Sequence, residues 1–355
     1  MSNKKLKSVL FISTGLSTFI QKDIDLLNSN YSVRSLVFRS SPKYNVPFEF
    51  IRHLFILLFS ISRQQFVIAQ FAGYHTFWPA ILCKLFNKPF IIICGGTECV
   101  SFPNIGYGNF NKSLLGWFTK LSIKQATHLL PKHHTLIDYH YTYDDKAPEQ
   151  QGLKAFINPF SIPYTVIENG FEAKQYMPAN IQRIKSSFIT VAAGIELPFT
   201  FALKGLDLVI EAAKHFPDSQ FTIVGINEGF IPPVQLHNLK WLSSRPNSHL
   251  DELFLAHEYY LQLSMSEGFP NAICEAMLCG CIPIGSRVNA IPDIIGDCGF
   301  LLEKRDAKLL IELLETILRK ENQSLSAKSV ERINTNYNLG KRKEKMLNTI
   351  QSIVK

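Results

Sequence analysis

The stretch Ser264-Met-Ser-Glu-Gly-Phe-Pro-Asn-Ala-Ile-Cys-Glu-Ala-Met-Leu-Cys-Gly-Cys-Ile-Pro-Ile284 places a loop, a short helix and a strand in direct succession. The apolar, aromatic residues 259–263 before it predict another strand. Pro270 stands where a first helical residue has no use for its N–H, and Gly280 stands where a helix ends in a left-handed turn. The pattern therefore predicts strand, loop, helix and strand, which is typical of α/β proteins.

This predicted helix carries a single charged side chain, Glu275. At 100° per residue, four apolar residues share the opposite face: Ala272, Ile273, Ala276 and Met277. No other charged residue stands between Glu267 and Arg287. A desolvated carboxylate needs hydrogen-bond donors, and the diol of a ribose or sugar supplies two of them. Glu275 is therefore a candidate for binding such a diol.

The start of the same helix favours phosphate. A ligand at this point would meet the first N–H groups of the helix and the positive end of its dipole. The residues that lead into the helix here are Gly268, Phe269, Pro270 and Asn271. Together with Glu275 they predict a sugar-nucleotide site. The alternative is that Glu267 is a surface charge in a loop and Glu275 is merely half-exposed, since a Glu-x7-Glu spacing alone is a weak signal.

The first half of the chain has the same alternation of strands and helices. Residues 9–13 predict a buried strand, Thr14-Gly15 a turn and residues 19–27 a helix, which together suggest a Rossmann-like opening. Further strands are predicted at residues 33–38, 65–71 and 89–94. Loops at the carboxyl ends of parallel strands line the ligand crevice, so Gly15, His75 and Glu98 are candidate contacts. The alternative for a lone His or Glu in a loop is a structural role.

Composition indicates a folded protein of two domains. The chain has 355 residues, 46% of them hydrophobic and 19% charged, which is enough for two separate cores. It has no uncharged apolar run of about 18 residues, and residues 1–7 lead into a strand rather than a signal peptide, so we expect a cytoplasmic protein. Seven cysteines without a Cys-x-x-Cys pair predict buried thiols rather than a zinc site.

The positive charge is concentrated in the first half. Residues 1–175 hold 18 Lys and Arg against 10 Asp and Glu, whereas residues 176–355 hold 19 of each. No zinc-finger, helix-turn-helix or RNA-binding signature accompanies it, so a membrane or a lipid phosphate is expected rather than nucleic acid. Residues 48–61 are heavily apolar with Arg52, His53 and Arg63 at the edges. They predict a helix lying on a membrane or, alternatively, one packed on the sheet.

The full string Ser-x-Ser-Glu-Gly-Phe-Pro-Asn-x-x-x-Glu-Ala-Met-x-x-Gly resembles the donor-binding signature of the retaining GT-B glycosyltransferases of family 4, the glycosyl transferases group 1. The resemblance continues over about residues 165–320 and includes several shorter segments: residues 166–172, 204–207, 224–229, 283–286, 291–295 and 298–300. The first half resembles the family only in its alternation of strands and helices.

The resemblance implies two Rossmann-like domains facing each other across a cleft. Residues 1–167 would bind the acceptor, residues 168–336 would bind the nucleotide sugar, and residues 337–355 would pack back on the first domain. Glu275 would hold the ribose diol, Glu267 would lie near the transferred sugar, and Lys204 would stabilise the leaving diphosphate without a metal ion or other cofactor. Gly15 would face the donor, and His75 and Glu98 the acceptor.

Some residues depart from the family pattern. An arginine that often precedes the Lys-Gly motif is absent, and Gly194-Ile195-Glu196 stands in its place. Either Lys204 and helix N–H groups together stabilise the charge of the diphosphate, or another basic residue reaches the diphosphate from a loop. Asn289 stands where a glycine is common. The family often has a His or Asp after its comparable strand, where Thr97-Glu98 stands here.

The remaining hypotheses concern metal and alternative functions. Asp23 and Asp25 form an Asp-x-Asp, the metal motif of the other large glycosyltransferase fold, but on a helix they point about 200° apart, so both are predicted to be solvated. The expected reaction is transfer of a sugar to a saccharide or lipid-linked acceptor in cell-surface glycan synthesis, with peripheral contact to the inner leaflet. The alternatives are a sugar-nucleotide epimerase and a non-catalytic sugar-binding protein. A dehydrogenase is disfavoured because Gly-x-Gly-x-x-Gly is absent.

Overall fold

The computed structural model describes residues 7–174, 182–244 and 247–354. Residues 1–6 therefore lie outside the described part of the chain, and with them most of the segment 1–7, which the sequence predicts to lead into a strand rather than to form a signal peptide. Two parallel sheets organise the molecule, and a two-stranded antiparallel ribbon accompanies the first of them.

The first sheet has five parallel strands in the order β2-β1-β3-β4-β5. Its strands are β1 (Ser8–Ser13), β2 (Ser32–Val37), β3 (Phe66–Gln70), β4 (Phe90–Cys94) and β5 (His128–Pro131). β3 and β4 are buried along their whole length, because a parallel sheet is covered on both faces and its central strands are continuous apolar runs. The order is that of flavodoxin-like doubly wound sheets.

Helices cover both faces of this sheet. They are α1 (Thr18–Asn28), α2 (Val46–Ser60), α3 (Phe77–Leu85) and α4 (Ser113–Lys124), and the ribbon β6 (Tyr139–His140) and β7 (Gln150–Gln151) with the short α5 (Leu153–Phe156) completes the region. Apolar side chains of α1 pack under Val9 and Phe11 of β1. Those of α2, α3 and α4 pack on the opposite face, where Leu10 and Ile12 point.

The second sheet has six parallel strands in the order β10-β9-β8-β11-β12-β13. Its elements are β8 (Ile184–Val191), α6 (Pro198–Leu203), α7 (Leu206–His215), β9 (Gln220–Ile226), β10 (Leu239–Ser243), α8 (Asn247–Ala256), β11 (His257–Gln262), α9 (Asn271–Leu278), β12 (Ile282–Ser286), α10 (Ile291–Ile295), β13 (Phe300–Leu302), α11 (Ala307–Leu318) and α12 (Gln323–Asn336). Counted from β8 the order is 3-2-1-4-5-6, that of the Rossmann fold. The predicted α/β architecture of two Rossmann-like halves is confirmed.

The last helix, α13 (Leu339–Ile353), returns to the first sheet. Met346, Leu347 and Ile350 join the cluster that contains Val9 and Phe11. All seven cysteines are buried free thiols, as the sequence predicted. No helix among the described residues has the length and apolar content needed to cross a bilayer.

Asp23 corrects a sequence prediction, because it is buried and not solvated. Its carboxylate lies 2.5 Å from Arg342 Nη2 of α13 and 3.3 Å from Lys132 Nζ, with 2% of the residue exposed. Burial alone would raise the pKa of Asp23, but the charges of Lys132 and Arg342 outweigh it and leave the pKa below its ordinary value. Asp25 is exposed, as predicted, and accepts a hydrogen bond from Gln21.

Replacing Asp23 by Asn should lower the free energy of unfolding by about 3 kcal/mol at pH 7, because Arg342 and Lys132 would be left buried without a carboxylate. A folded-state pKa below the unfolded one contributes stability above the unfolded value and loses it as pH falls further. The deficit of Asp23→Asn should therefore shrink below about pH 4. Urea denaturation across this pH range measures it. The matched variant Asp25→Asn should change stability by less than about 0.5 kcal/mol, and equal effects of the two variants would contradict the prediction.

Candidate functional site

The candidate site lies at the carboxyl ends of β8 and β11, where the strand order of the second sheet reverses. Ligands of doubly wound sheets bind in the crevice at this switch point. β8 leads through residues 192–197 into α6, and β11 leads through residues 263–270 into α9. Two candidate residues that are 63 positions apart in sequence, Lys204 and Glu267, meet there.

Lys204 and Glu267 form an ion pair. Lys204 Nζ lies 2.6 Å from Glu267 Oε1, and the two side chains are 24% and 13% exposed. The same carboxylate oxygen accepts hydrogen bonds from Ser264 Oγ at 2.8 Å and Gln262 Nε2 at 3.2 Å. Glu267 is thus fixed in a partly desolvated position, and the alternative of a loop surface charge is wrong.

A glycine allows Lys204 to reach this position. Gly205 has a φ of +66° and caps the start of α7. A Cβ atom there would lie 2.2 Å from the carbonyl oxygen of Leu263 at the end of β11. Any larger residue would therefore push the Lys204 turn away from the strand that leads to Glu267.

Asn289 holds the loop that carries Glu267. Its Oδ1 accepts the Glu267 N–H at 3.0 Å, and its Nδ2 donates to Thr135 Oγ1 of the first domain at 3.2 Å. The residue has a φ of +47°, a left-handed conformation that Asn tolerates better than most residues. Asn289 therefore keeps the conformation suited to the glycine that is common there and adds two hydrogen bonds that glycine lacks.

The start of α9 differs by one residue from the prediction. Pro270 is the cap with an extended backbone, and Asn271 is the first helical residue. Asn271 Oδ1 accepts a hydrogen bond from Asn169 Nδ2 at 2.7 Å. Within the described part of the chain, the N–H groups of Gly268 and Phe269 donate to no protein acceptor. The helix start thus presents the free donors that an anion requires.

Glu275 lies on α9 away from the buried face formed by Ile273, Ala276 and Met277. It is half-buried. Burial raises the pKa of Glu275, and the positive charges of Lys22 and Lys174 oppose that rise. The carboxylate therefore sits in a partly desolvated position, where hydrogen-bond donors stabilise its charged form.

The glycine pair after β4 touches the same loop from the first domain. A Cβ atom on Gly268 would lie 1.5 Å from the Gly95 carbonyl oxygen, so the two backbones are in direct contact. Glu98 fixes the pair by accepting the N–H groups of Gly95 at 2.6 Å and Gly96 at 3.2 Å. Burial raises the pKa of Glu98 to about 7, although these hydrogen bonds act in the opposite direction.

Two other candidates are placed differently. The imidazole of His75 is buried and its Nε2 lies 3.0 Å from the Gln70 carbonyl oxygen, while burial lowers its pKa to about 4. Its hydrogen bond and its ring contact with Phe38 both lie within the first domain. Gly15 is half-buried after β1, and a Cβ atom there would meet nothing within 4 Å.

Comparison with known proteins identifies the second half of the chain. Residues 200–336, which contain Lys204, Glu267, Asn271 and Glu275, match the family described as glycosyl transferases group 1. We call these residues the group 1 domain, after the family that they match. The resemblance stated from the sequence is thus confirmed.

Curated relatives of this group 1 domain share only part of their length with the chain. A phosphatidylinositol N-acetylglucosaminyltransferase subunit from Homo sapiens is 28% identical over 180 residues, which cover 48% of this chain and 36% of that protein. The O-antigen chain mannosyltransferase B from Escherichia coli is 32% identical over 82 residues, covering 23% of this chain and 19% of that protein. The chain therefore spans well under half the length of these two relatives.

Solved structures share the fold over nearly the whole chain. Sucrose-phosphate synthase from Thermosynechococcus elongatus superposes with a TM-score of 0.73 at 12% identity, covering 98% of this chain and 99% of that one. HepE from Anabaena, solved with UDP and glucose, has a TM-score of 0.68 at 14% identity and covers 98% and 100%. These likenesses establish the GT-B arrangement of the two halves.

The group 1 domain and the first domain enclose a cavity of about 360 Å³ beside Lys204. Tyr107 and Lys112 line it from the first domain, and the Tyr107 hydroxyl hydrogen-bonds Thr97 at 2.8 Å. The Tyr107 ring lies 5.6 Å from that of Phe199 across the cleft. Neither residue was predicted from the sequence, where the signal near them is the glycine spacing of Gly106-Tyr-Gly108.

Two groups among the described residues have ligand atoms close enough for a metal ion: Cys94, Glu98 and Cys99, and His133, His134 and Asp293. The carboxylate of Glu98 is already engaged by the glycine N–H groups. His133 Nε2 lies 2.9 Å from Asp293 Oδ2, which links the two domains. Existing protein contacts thus account for Glu98 and for the His133–Asp293 pair.

The raised pKa of Glu98 predicts a specific pH dependence of stability. A folded-state pKa of about 7 against an ordinary value near 4.5 means that the fold favours the protonated acid, so stability decreases as pH rises from about 4.5 to 7. Glu98→Gln should lack this decrease, which amounts to about 3 kcal/mol. Urea denaturation at pH 5 and 7.5 tests it. The exposed Glu321→Gln serves as the control and should keep the wild-type pH dependence; parallel curves for Glu98→Gln and wild type would refute the assignment.

Proposed function

We propose that this protein is a retaining glycosyltransferase that moves a sugar from a nucleoside diphosphate to a hydroxyl acceptor. The observation that carries the proposal is the Lys204–Glu267 ion pair at the switch point, next to N–H groups before α9 that have no acceptor among the described residues. The group 1 domain supports it, as do relatives named for N-acetylglucosaminyl and mannosyl transfer. The UDP and glucose bound by HepE support a nucleotide sugar as donor.

The donor roles follow from the chemistry of each side chain. Glu275 accepts the two hydroxyls of the ribose, and the N–H groups of Gly268, Phe269 and Asn271 face the diphosphate and sugar. Pro270 sets the chain direction into α9. Glu267 lies beside the transferred sugar, while Gly15 gives the donor close access to the loop after β1.

The reaction proceeds on one face of the sugar. The bond between the anomeric carbon and the diphosphate oxygen breaks, the acceptor oxygen bonds to the same face of that carbon, and the departing phosphate oxygen takes the acceptor proton. Lys204 stabilises the negative charge that grows on the diphosphate. We propose that the reaction needs no metal ion, because Lys204 and the positive end of α9 supply fixed positive charge.

In this proposal each domain binds one of the two substrates. Residues 168–336 hold the donor, and residues 1–167, with residues 337–355 packed on them, receive the acceptor, with Glu98 fixing the Gly95-Gly96 loop at the meeting point. We propose a saccharide or lipid-linked acceptor used in cell-surface glycan synthesis on the cytoplasmic side of the membrane. The name of the human relative, which includes phosphatidylinositol, supports a lipid acceptor.

The first experiment is a thermal-shift screen with UDP-, GDP- and ADP-sugars, because a bound donor stabilises the fold by mass action. The stabilising donor is then incubated with lipid and saccharide acceptors, and the product is examined by NMR. A product with the anomeric configuration of the donor is expected. An inverted product would exclude the same-face reaction, isomerised donor without acceptor would favour an epimerase, and binding without turnover would favour a sugar-binding protein.

Lys204→Ala should lower kcat by about 10² or more, in the range found for single groups that stabilise transition-state charge. Steady-state kinetics with the identified donor measures it. Lys214→Ala is the matched control, because Lys214 lies at the far end of α7 and pairs with Glu211 on the surface. An unchanged kcat in Lys204→Ala would remove this lysine from the mechanism.

Glu275→Ala should abolish discrimination between the donor nucleotide and its 2′,3′-dideoxy analogue. The wild-type protein should bind the diol at least about tenfold more tightly, because hydrogen bonds donated to a charged, partly desolvated carboxylate are strong ones. Isothermal titration calorimetry of both ligands with both proteins gives the coupling directly. If Glu275→Ala retained the wild-type preference, the diol would be bound elsewhere.

A further inference from the structure

The outer surface of α2, α3 and α4 exposes an unusual number of large apolar side chains. On α2, residues spaced three and four apart form one exposed stripe, with Phe48 69%, Phe55 58% and Phe59 73% exposed. Further members of this surface, which we call the three-helix surface, are Ile51, Leu58, Ile81, Leu85, Leu114 and Trp117. Contiguous apolar patches of this kind mark interaction sites, whereas scattered ones are ordinary.

These side chains belong to one face. α2, α3 and α4 all cover the same side of the first sheet, and their aromatic rings interlock between helices. Phe50 of α2 stacks on Phe77 of α3 at 5.4 Å, and Phe77 lies 6.0 Å from Trp117 of α4. In contrast, the exposed large apolar residues of the second domain lie apart in sequence and on different elements: Ile184, Leu197, Ile231 and Leu309.

The charge of this region is one-sided. Residues 46–124 contain seven Lys and Arg and only two acidic residues, Glu49 and Glu98. Both carboxylates are buried, at 3% and 1% exposure. Within the part of the chain that the structure describes, several of the basic residues form no ion pair: Arg63, Lys84, Lys88, Lys112, Lys120 and Lys124. Hence the three-helix surface combines apolar side chains with unneutralised positive charge.

We propose that the three-helix surface docks on an anionic lipid bilayer. Aromatic and aliphatic side chains of α2 and α4 enter the boundary of the acyl chains, and the surrounding lysines and arginines contact anionic headgroups. A second copy of the chain fits this surface less well, because two such faces would bring like charges together. A bilayer supplies both the apolar phase and the negative charge that the surface lacks.

Docking in this orientation would place the membrane close to the cavity beside Lys204. Lys112 lines that cavity and immediately precedes α4, whose Leu114 is 62% exposed. The headgroup plane would therefore meet the protein next to the cavity mouth, where an acceptor carried on a lipid phosphate would be presented between Lys112 and Lys204. This last step rests on the proposed transferase function, whereas docking itself does not.

Vesicle flotation tests docking without any need for sugar transfer. The full-length protein is mixed with vesicles of phosphatidylcholine alone and of phosphatidylcholine with phosphatidylglycerol. We expect binding to the anionic vesicles that weakens with added salt. Phe55→Ser/Phe59→Ser should reduce the partition coefficient at least about tenfold, whereas Ile231→Ser/Leu309→Ser, with two exposed apolar residues of the second domain, should leave it unchanged. Thermal unfolding of each variant verifies folding.

Two further experiments test the contribution of the α4 lysines and the insertion of Trp117 into the bilayer. Lys120→Gln/Lys124→Gln should weaken binding by about fivefold per lysine, against no change for Lys308→Gln/Lys320→Gln. Brominated lipids should quench the fluorescence of wild-type protein more than that of Trp117→Phe.

The proposal would be overturned if the protein did not bind anionic vesicles, or if the control variants lost as much binding as the test variants. It would also be overturned if light scattering showed a dimer that dissociates in Phe55→Ser/Phe59→Ser. Failure of docking together with intact transfer to soluble acceptors would leave the proposed function standing.

Discussion

The site depends on two backbone contacts that only glycine permits. Gly205 lets the turn with Lys204 lie against the end of β11, and Gly268 lets the loop with Glu267 lie against Gly95 of the other domain. The first contact brings a lysine and a glutamate from distant parts of the chain to 2.6 Å. The second brings the two domains together at Gly268, whose N–H, like that of Phe269, has no acceptor among the described residues. The chemistry of the site is thus arranged by the absence of side chains at two positions.

A second constraint ties the last helix to the first sheet. Arg342 of α13 reaches the buried Asp23 of α1, and Lys132 shares the carboxylate. Three buried charges are stable only when they meet one another, because each would be costly alone. The return of the last helix therefore fixes α1, whose Lys22 carries one of the charges felt by Glu275. Asp23 and Arg342 line a pocket together with Asn271, the first residue of α9, so this cluster lies beside the start of that helix.

The sequence predicted the fold because its signals are local. Buried parallel strands are continuous apolar runs, and the strand–loop–helix unit around Glu267 is specified by residues within one segment. Asp23 was misjudged because its partners are 109 and 319 residues away along the chain, and helix periodicity says nothing about such partners. Tyr107 and Lys112 were missed for the same reason, since their place in the site comes from the meeting of two domains. The predicted start of α9 was one residue too early, at Pro270, because the cap and the first helical position both suit proline.

The charge asymmetry and the position of the site have a common physical explanation. Positive charge that is not neutralised by nearby carboxylates destabilises a compact domain by self-repulsion, so its concentration in one domain needs a compensating interaction. In the proposed complex, anionic headgroups along α2 to α4 would supply such an interaction, and a phosphate group in the cleft would supply another at Lys112. Both ligands would be anionic, and both would contact the same edge of the first domain through the segment that begins α4. A polar acceptor anchored in a bilayer unites the two requirements, because its headgroup can enter the cleft while its chains remain in the lipid on which the helices rest.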